Sequence, residues 1–245
     1  MVIEEFMDGE EASLFVLCDG EDILSVGTAQ DHKRVGEGDT GLNTGGMGAY
    51  SPAPVVTPEI HERIMNEVIM PTVEGMAKED APYTGFLYAG LMIAADGIPK
   101  VIEYNCRFGD PETQPIMMRL QSDLAELCLA ACKGELDKAN IDFDPRAAVG
   151  VVLAAGGYPG SYGKGDVISG LETNTLDDRK TFHAGTAQKD GEIVTAGGRV
   201  LCATALGENV TSAQKSAYEL LHQISWQGVE FRTDIAYRAI AREQA

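Results

Sequence analysis

Basic residues are scarce in this sequence. Its 245 residues include 19 lysines and arginines against 38 aspartates and glutamates, and the formal net charge is −19. A surface of this sign repels the phosphates of nucleic acids and of anionic membranes, so the composition argues against both as partners. An anionic substrate would need local basic residues or Mg²⁺ to offset the field of the acidic groups.

The sequence also lacks any CxxC pair, although it has five cysteines. Their odd number and mostly apolar neighbours argue for reduced, buried thiols rather than a disulfide framework or a zinc site. Cys128 and Cys132 are four residues apart on a predicted helix, a spacing that core packing explains better than a metal pair. Because reduced thiols are typical of the cytoplasm, we expect a cytoplasmic protein.

Membrane spans, signal features and several catalytic motifs are missing as well. No apolar run is long enough to cross a bilayer, and the N-terminus lacks the basic region and apolar stretch of a signal peptide. We find no serine-nucleophile elbow and no Walker A sequence. The histidines at positions 61, 183 and 222 do not have the spacing of metal ligands.

The composition is otherwise that of a globular protein, with 44% hydrophobic and 23% charged residues in a chain long enough for one large or two smaller domains. Its pattern predicts an α+β fold, an antiparallel sheet with helices followed by a smaller α+β unit. We place the boundary where the pattern becomes irregular, which gives domains of residues 1–145 and 146–245.

Alternating apolar residues and turn signals predict strands at Val2–Met7 and Ala12–Cys18, joined by Asp8-Gly9, and a third at Ile23–Ala29. Residues 30–54 lose all periodicity, and a loop of that length is usually functional or disordered. The other predicted elements are a helix capped by Thr57 that breaks near Pro71 and resumes to Ala77, a hairpin of Phe86–Ala95 and Pro99–Asn105, and a helix capped by Ser122 that runs through Lys133 and is closed by Gly134. A strand at Ala147–Ala155 and a helix from Thr211 follow, the helix with Ala213, Ala217, Leu220, Leu221 and Ile224 inward.

A strand that ends in charge carries the first candidate site. Side chains alternate along a strand, so Glu103 and Asn105 are expected on one face, where their oxygens suit Mg²⁺ with waters and nucleotide phosphates completing its shell. Arg107 could reach a phosphoryl oxygen in the same space if the extended conformation continues. Spacing alone does not separate this hypothesis from an exposed strand end with a solvated glutamate and a surface arginine.

A glycine-rich loop, NTGGMG at Asn43–Gly48, is the second candidate. Its successive backbone N–H groups could approach an anion closely, and Lys33 and Arg34 could neutralise a phosphate nearby. A flexible surface loop with a solvated charge run is the alternative. His32 could act as an acid or base, although a lone loop histidine is more often a hydrogen-bonding residue.

Several segments together resemble a known family. They are VIEEFMDGEEAS, QDHKRVGEGDTGLNTGGMGAYSPAP, YTGFLYAGLM, IEYNCRFGDPETQPI, VVLAAGGYPGSYGKGD, FHAGT and GGRVL. In this order and over nearly the whole chain, they resemble the phosphoribosylamine–glycine ligases, or glycinamide ribonucleotide synthetases, of the ATP-grasp superfamily. RFGDPETQ is highly specific for this family, whereas NTGGMG with the following YSP is shared more loosely by its relatives.

The resemblance implies that ATP phosphorylates glycine and that 5-phosphoribosylamine attacks the glycyl phosphate, in de novo purine synthesis. It implies that Glu103 and Asn105 hold Mg²⁺ or Mn²⁺. The implied catalytic residues are Arg107, beside the transferred phosphoryl group, Lys33 and Asp31. The residues implied to bind ATP are Glu4, Glu5, Phe6 and Met7 at the adenine, and Glu10 or Glu11 at the ribose. Those implied to face glycine and phosphoribosylamine are Asp31, Lys33, Asn43, Thr44, Gly45, Gly46, Met47 and Gly48.

The resemblance begins only at the adenine-pocket strand. Chains of the family start with an α/β domain and a small ATP-grasp lobe, so we expect this chain to be the C-terminal part of such an enzyme. Alone it would have little or no ligase activity, and the missing N-terminal part would be a possible partner. The alternatives are a non-catalytic fragment that binds a nucleotide or a partner, and another ATP-grasp ligase, against which RFGDPETQ argues.

Overall fold

The computed structural model of the protein describes residue 3 and residues 5–171 and 177–245. Val2 of the first predicted strand and Glu4 of the implied adenine site lie outside the described residues. The chain divides into two compact units, and the predicted boundary near residue 145 stays a prediction. The first unit comprises Met1–Gln30, Ala53–Gly109 and Leu120–Phe143, and the second comprises Asp31–Pro52, Asp110–Arg119 and Asp144–Ala245.

The described residues form strands and helices in an α+β arrangement, which confirms the predicted fold class. The strands are β1 Glu10–Asp19, β2 Ile23–Asp31, β3 Arg34–Gly36, β4 Thr40–Asn43, β5 Gly48–Ser51, β6 Thr84–Ile93, β7 Pro99–Asn105, β8 Ala147–Ala155, β9 Arg179–His183, β10 Thr186–Lys189, β11 Glu192–Thr195, β12 Arg199–Gly207 and β13 Val229–Glu230. The α-helices are α1 Pro58–Ile64, α2 Met70–Lys78, α3 Thr113–Arg119, α4 Leu124–Lys133, α5 Val210–Leu221 and α6 Tyr237–Glu243.

The first unit contains an antiparallel sheet in the order β7-β6-β1-β2. The predicted strand at Val2–Met7 is wrong for its described residues, which precede β1 without joining a strand. Phe6 of this segment is 90% exposed. A strand needs a hydrogen-bonded neighbour, and β1 pairs with β2 and β6 only from Glu10 onward. The alternating pattern at residues 2–7 predicts a strand but carries no information about whether a neighbouring strand is present. In the described chain no strand pairs with these residues.

One face of this sheet packs on a long helical segment. Thr57 caps α1 as predicted, since its side chain accepts a hydrogen bond from the Ile60 N–H group. The predicted break near Pro71 is instead a π-helical turn, Met65–Ile69, that joins α1 to α2. Pro71 follows this turn directly as the second residue of α2, so the helical segment continues past the proline. The buried residues that join sheet and helices include Ala12, Leu14, Val16, Ile64, Val68, Ile69 and Val73.

Helix α4 is one residue shorter than predicted. Its N-cap is Asp123, whose carboxylate accepts from two backbone N–H groups of the first turn, whereas Ser122 accepts from the Asp142 N–H group. Both residues are good caps by type, so sequence alone could not choose between them. Gly134 ends the helix in the left-handed conformation, as predicted.

The second unit has an antiparallel sheet in the order β5-β8-β12-β9, with β13 added beside β8. All nine residues of β8 are buried, which confirms the predicted apolar strand. Helix α5 starts at Val210 after the N-cap Asn209, not at Thr211, and its predicted inward residues Ala213, Ala217, Leu220 and Leu221 are all buried. Ile224 is also buried, but it lies beyond the end of the helix at Leu221. Within residues 30–54 the short strands β3, β4 and β5 replace the predicted loop, and strands of three or four residues are too short to show periodicity.

The cysteines are free, as expected, but not uniformly buried. Cys18 and Cys202 are buried, whereas Cys106 and Cys132 are exposed. Burial raises the pKa of Cys18 and of Cys202 to about 12 in each case. None of the helices described is both long and apolar enough to cross a membrane.

Candidate active site

The end of β7 places Glu103 and Asn105 on one face of the first unit's sheet. The Asn105 Nδ2 atom donates to Glu103 Oε1 at 3.2 Å, so the two side chains point to the same side, as strand alternation predicts. Tyr104 between them points to the opposite face, where its hydroxyl lies 2.6 Å from that of Thr72 in α2. Glu103 and Asn105 therefore lie on the face away from α1 and α2.

The neighbouring strand leaves room for this pair. Gly90 of β6 is the partner of Glu103, and a Cβ atom at Gly90 would lie 3.2 Å from Glu103 Cγ, a tight contact. Next to it, Tyr88 is the partner of Asn105 and accepts a hydrogen bond from the Ser13 hydroxyl at 3.0 Å. Buried Ser13 and Tyr88 therefore lie beside this end of β7, whereas Glu103 itself is exposed.

Arg107 does not continue the strand. β7 ends at Asn105, and the exposed Arg107 donates from Nη1 to the Phe108 carbonyl at 2.9 Å. The Phe108 ring stacks on Phe15 with centroids 4.8 Å apart and an interplanar angle of 3°. The condition for Arg107 to lie in line with Glu103 and Asn105 is therefore not met. Phe108 instead anchors the turn to the sheet, a role that the sequence did not suggest.

The hard oxygen ligands of Glu103 and Asn105 fit Mg²⁺. Asn105 turns its amide nitrogen toward Glu103, and a 180° rotation of the amide would bring Oδ1 to the same place. Within the described part of the chain, no group of three or more His, Cys, Asp or Glu side chains could hold a metal ion. Mg²⁺ is commonly bound through one or two protein groups with waters and phosphates, so two protein ligands are sufficient.

The residues implied to bind ATP lie on and before β1. Glu5 and Phe6 are exposed and Met7 is half-buried. The Glu5 carboxylate pairs with Lys100 Nζ at 2.8 Å, and the hydrogen bond and charge of Lys100 lower the pKa of Glu5. Their contact with adenine stays a prediction.

Gln30 supports the two glutamates at the start of β1. It is 3% exposed, and its Nε2 donates to the Glu11 carbonyl at 3.0 Å and lies 3.5 Å from Glu10 Oε2. Glu10 and Glu11 are half-buried. Sequence reasoning missed Gln30, because a glutamine at the end of a strand carries no signal of its partners. Which glutamate contacts ribose stays a prediction.

The backbone N–H groups of the glycine-rich loop are hydrogen-bonded within the second unit. Four consecutive N–H groups in this loop donate to acceptors within the unit. The Thr44 N–H group donates to the Lys33 carbonyl at 2.7 Å, and the Met47 N–H group donates to the His32 carbonyl at 2.8 Å. Between them, the Gly45 N–H group donates to the Tyr158 hydroxyl at 3.1 Å and the Gly46 N–H group to the Thr44 hydroxyl at 2.9 Å. An anion could bind these groups only by breaking those bonds, so the loop is not a preformed anion nest. Its position facing glycine or phosphoribosylamine stays a prediction.

Packing gives another reason for glycine in this loop. Gly46 has φ +109°, and a Cβ atom there would lie 2.3 Å from Pro111 Cδ. A side chain is therefore excluded by both conformation and contact. Arg199 of β12 also touches the loop, since its Nη1 donates to the Gly45 carbonyl at 2.6 Å and its Nη2 to Asp110 Oδ2 at 2.9 Å. The sequence motif GGRVL contains Arg199 but does not indicate this role.

His32 is a buried structural residue between the two implied catalytic groups. It is 4% exposed, its Nε2 accepts from the Ala236 N–H group at 2.9 Å, and its Nδ1 lies 3.3 Å from Asp39 Oδ1. The Nε2 contact places the ring proton on Nδ1, which donates to Asp39. This is the hydrogen-bonding interpretation of a lone histidine. Asp31 and Lys33 on either side are half-buried, and their catalytic roles stay predictions.

Asp39 is the centre of an ion network that the sequence did not reveal. Its partners besides His32 are Arg232 at 2.8 Å, the Tyr237 hydroxyl at 2.9 Å and Arg238 at 2.7 Å. The His32 hydrogen bond, aided by those of Arg232 and Tyr237 and opposed by burial, holds the pKa of Asp39 far below its ordinary value. The network fixes the segment that carries Asp31 and Lys33 to the C-terminal residues of the unit.

Two family models match the chain. The model for the phosphoribosylglycinamide synthetase ATP-grasp (A) domain matches residues 1–113, and that for the C domain of the same synthetase matches residues 148–238. The chain belongs to the phosphoribosylglycinamide synthetase family. The resemblance found in the motifs is thereby confirmed.

Full-length relatives of this family are closely similar over the region that they share with the chain. The phosphoribosylamine–glycine ligase of Vibrio parahaemolyticus is 70% identical over 244 residues, which are 100% of this chain and 57% of the relative. That of Pseudomonas aeruginosa is 65% identical with the same two coverages. The chain thus spans little more than half the length of the curated relatives it matches.

A solved structure of a phosphoribosylamine–glycine ligase agrees with this assignment. The crystal structure of the Thermotoga maritima phosphoribosylamine–glycine ligase superposes with a TM-score of 0.83 at 37% identity, over 95% of this chain and 57% of that one. A biotin carboxylase domain from Hydrogenobacter thermophilus, determined with ADP and magnesium, gives a TM-score of 0.65 at 16% identity, over 91% of this chain and 47% of that one. The second likeness shows a shared fold only.

Proposed function

We propose that this chain forms part of an ATP-dependent ligase that joins glycine to 5-phosphoribosylamine. ATP would transfer its terminal phosphoryl group to the glycine carboxylate, which gives glycyl phosphate and ADP. The amine of phosphoribosylamine would then attack the acyl carbon, lose a proton and expel phosphate, which gives glycinamide ribonucleotide. The observation that supports this proposal most directly is the pairing of Glu103 with Asn105 on one face of β7, in a chain of this family.

Transfer through an acyl phosphate depends mainly on positioning and on stabilising negative charge. Glu103 and Asn105 would hold Mg²⁺ or Mn²⁺, which when bound would neutralise phosphate charge. Arg107 is exposed and bonded only to a carbonyl among the contacts described for it, so its guanidinium could turn to a phosphoryl oxygen. The bound cation and Arg107 would offset the net charge of −19, which otherwise repels ATP.

The rest of the substrate contacts follow the implied family roles. Glu5, Phe6 and Met7 would line the adenine, and Glu10 or Glu11, backed by Gln30, would accept from the ribose hydroxyls. Asp31, Lys33 and the loop Asn43–Gly48 would face glycine and phosphoribosylamine. The free cysteines are consistent with a cytoplasmic location, which belongs to the proposal.

We propose that activity also requires the part of the relatives that this chain does not span, which we expect to be N-terminal. The test is to measure ADP and glycinamide ribonucleotide formed from ATP, glycine and freshly generated phosphoribosylamine. The chain is assayed alone and mixed with the N-terminal part of the Vibrio parahaemolyticus ligase. We expect turnover in the mixture and little or none in the chain alone.

Two variants identify the source of any activity. Glu103→Gln should lower turnover in the mixture at least a hundredfold and abolish Mn²⁺ binding measured with ADP present. Glu74→Gln changes an exposed carboxylate of the same unit that pairs only weakly with Lys78, and it should leave both unchanged. Nucleotide binding without turnover in every mixture would favour the non-catalytic alternative. Activity of the chain alone equal to that of an intact ligase would refute the required second part.

A further inference from the structure

Arg199 joins two segments of the second unit that are far apart in the sequence. Its Nη1 atom donates to the Gly45 carbonyl at 2.6 Å and the Asp110 carbonyl at 2.9 Å, with the Gly46 carbonyl at 3.4 Å. Its Nη2 atom donates to Asp110 Oδ2 at 2.9 Å. One guanidinium group thus contacts the glycine-rich loop and the start of the DPETQ segment at the same time.

We infer that Arg199 is a positioning residue, which holds Gly45 and Gly46 of the substrate-facing loop against Asp110. The inference rests on the proposed function in so far as this loop faces glycine and phosphoribosylamine. Arg199 would act through the loop and would not itself touch a substrate. No substrate role was assigned to it from the sequence.

Shape is the first argument. A Cβ atom at Gly45 would lie 2.9 Å from the guanidinium carbon of Arg199, and one at Gly46 would lie 2.3 Å from the ring of Pro111. The loop backbone is therefore seated directly on the arginine and the proline, with no space for a side chain between them. Tyr158 holds the same stretch by accepting the Gly45 N–H at 3.1 Å.

Charge is the second argument. The Asp110 carboxylate and three carbonyl groups surround the guanidinium, whose side chain is only 20% exposed. Donors that are already occupied in this way cannot be offered to a phosphate or carboxylate without releasing the loop. Both N–H groups of Nη1 and one of Nη2 donate to the loop and to Asp110, so this edge of the guanidinium holds the loop and is not offered to an anion.

The guanidinium group is needed for its geometry as well as its charge. Its donors lie in one plane and reach the loop carbonyls and the Asp110 carboxylate together. A lysine ammonium is a compact charge with rotatable donors and cannot span both partners in this arrangement. Arg199→Lys should therefore keep the ion pair and lose most of the contacts with the loop.

The first test uses the 245-residue chain and measures amide hydrogen exchange of Gly45, Gly46 and Met47. We expect exchange at least tenfold faster in Arg199→Met and at least threefold faster in Arg199→Lys. Arg179→Met is the matched control, because Arg179 is also half-buried on the same sheet and bonds Ser216 and Glu219. It should leave these three amides unchanged.

Unchanged exchange in a folded Arg199→Met protein would overturn the inference. Should that variant fail to fold, Arg199→Lys decides, and unchanged exchange there overturns the inference equally. This readout needs no substrate, so it remains valid if the wild-type mixture shows no turnover. In that case the proposed function is refuted, and the rate of amide hydrogen exchange still decides whether Arg199 holds the loop.

The second test uses the active mixture with the N-terminal part. Arg199→Lys should raise the KM for glycine or phosphoribosylamine at least tenfold and leave the KM for ATP within twofold. Arg179→Lys should change neither constant. An equal rise in the KM for ATP, or a fall in kcat with every KM unchanged, would show that the loop is not what Arg199 positions.

Discussion

The buried Arg232 offers a quantitative test of the ion network around Asp39. Arg232 is 1% exposed and donates to Asp234 twice at 2.7 Å, to Asp39 at 2.8 Å and to the Arg34 carbonyl at 3.0 Å. Arg232→Met removes all four bonds and leaves two carboxylates short of a partner. Breaking a buried ion pair from one side costs about 3–5 kcal/mol.

The remaining contacts place the expected cost at the lower end of that range. Asp39 keeps His32, Tyr237 and Arg238, and Asp234 keeps the Gly38 N–H at 2.7 Å. We therefore expect Arg232→Met to lower the free energy of unfolding by about 3 kcal/mol. With a urea slope of roughly 2 kcal/mol per molar, the midpoint should fall by about 1.5 M.

Arg238→Met is the matched control, because Arg238 contacts the same carboxylate at 2.7 Å but its side chain is 42% exposed. A solvent-screened pair of this kind is worth at most about 1 kcal/mol. The single tryptophan, Trp226, is 8% exposed in the same unit and reports its unfolding by fluorescence. Equal losses of stability in the two variants would refute the reasoning that burial makes Arg232 the more important partner.

Three further outcomes are expected from the structure. Because the pKa of Asp39 is lowered on folding, its contribution is present above the unfolded carboxyl value of about 3.9 and is lost as the pH falls below it. Asp39→Asn should therefore make stability fall less steeply between pH 4 and pH 2, and an unchanged pH profile in urea titrations would contradict this. Gly46→Ala should lower the free energy of unfolding, measured in urea, by about 2–4 kcal/mol, because of the positive φ and the clash with the proline ring. Gly163 has open space at its Cβ position, so the control Gly163→Ala should change the same free energy by less than about 0.5 kcal/mol. Iodoacetamide should alkylate the exposed Cys132 before the buried Cys202, whose pKa is raised to about 12, and mass spectrometry showing the reverse order would contradict the burial.

Local sequence determined the elements whose cause lies within a few residues. Thr57 caps α1 and Gly134 ends α4 because capping depends on side-chain type and on backbone freedom at one position. Glu103 and Asn105 share a face because covalent geometry makes strand side chains alternate. The run of apolar residues and glycine in β8 indicated a strand buried on both faces, because no polar side chain interrupts it.

Only the tertiary structure decided which groups meet across long distances in the chain. The bond from Arg199 to Gly45 spans 154 positions and that from Arg232 to Asp39 spans 193, and no periodicity encodes such separations. The same limit explains why NTGGMG indicated an anion-binding loop although its N–H groups are used internally. Hydrogen bonding is satisfied by whichever partner folding brings near, so a sequence shows the donors and acceptors but not how they pair.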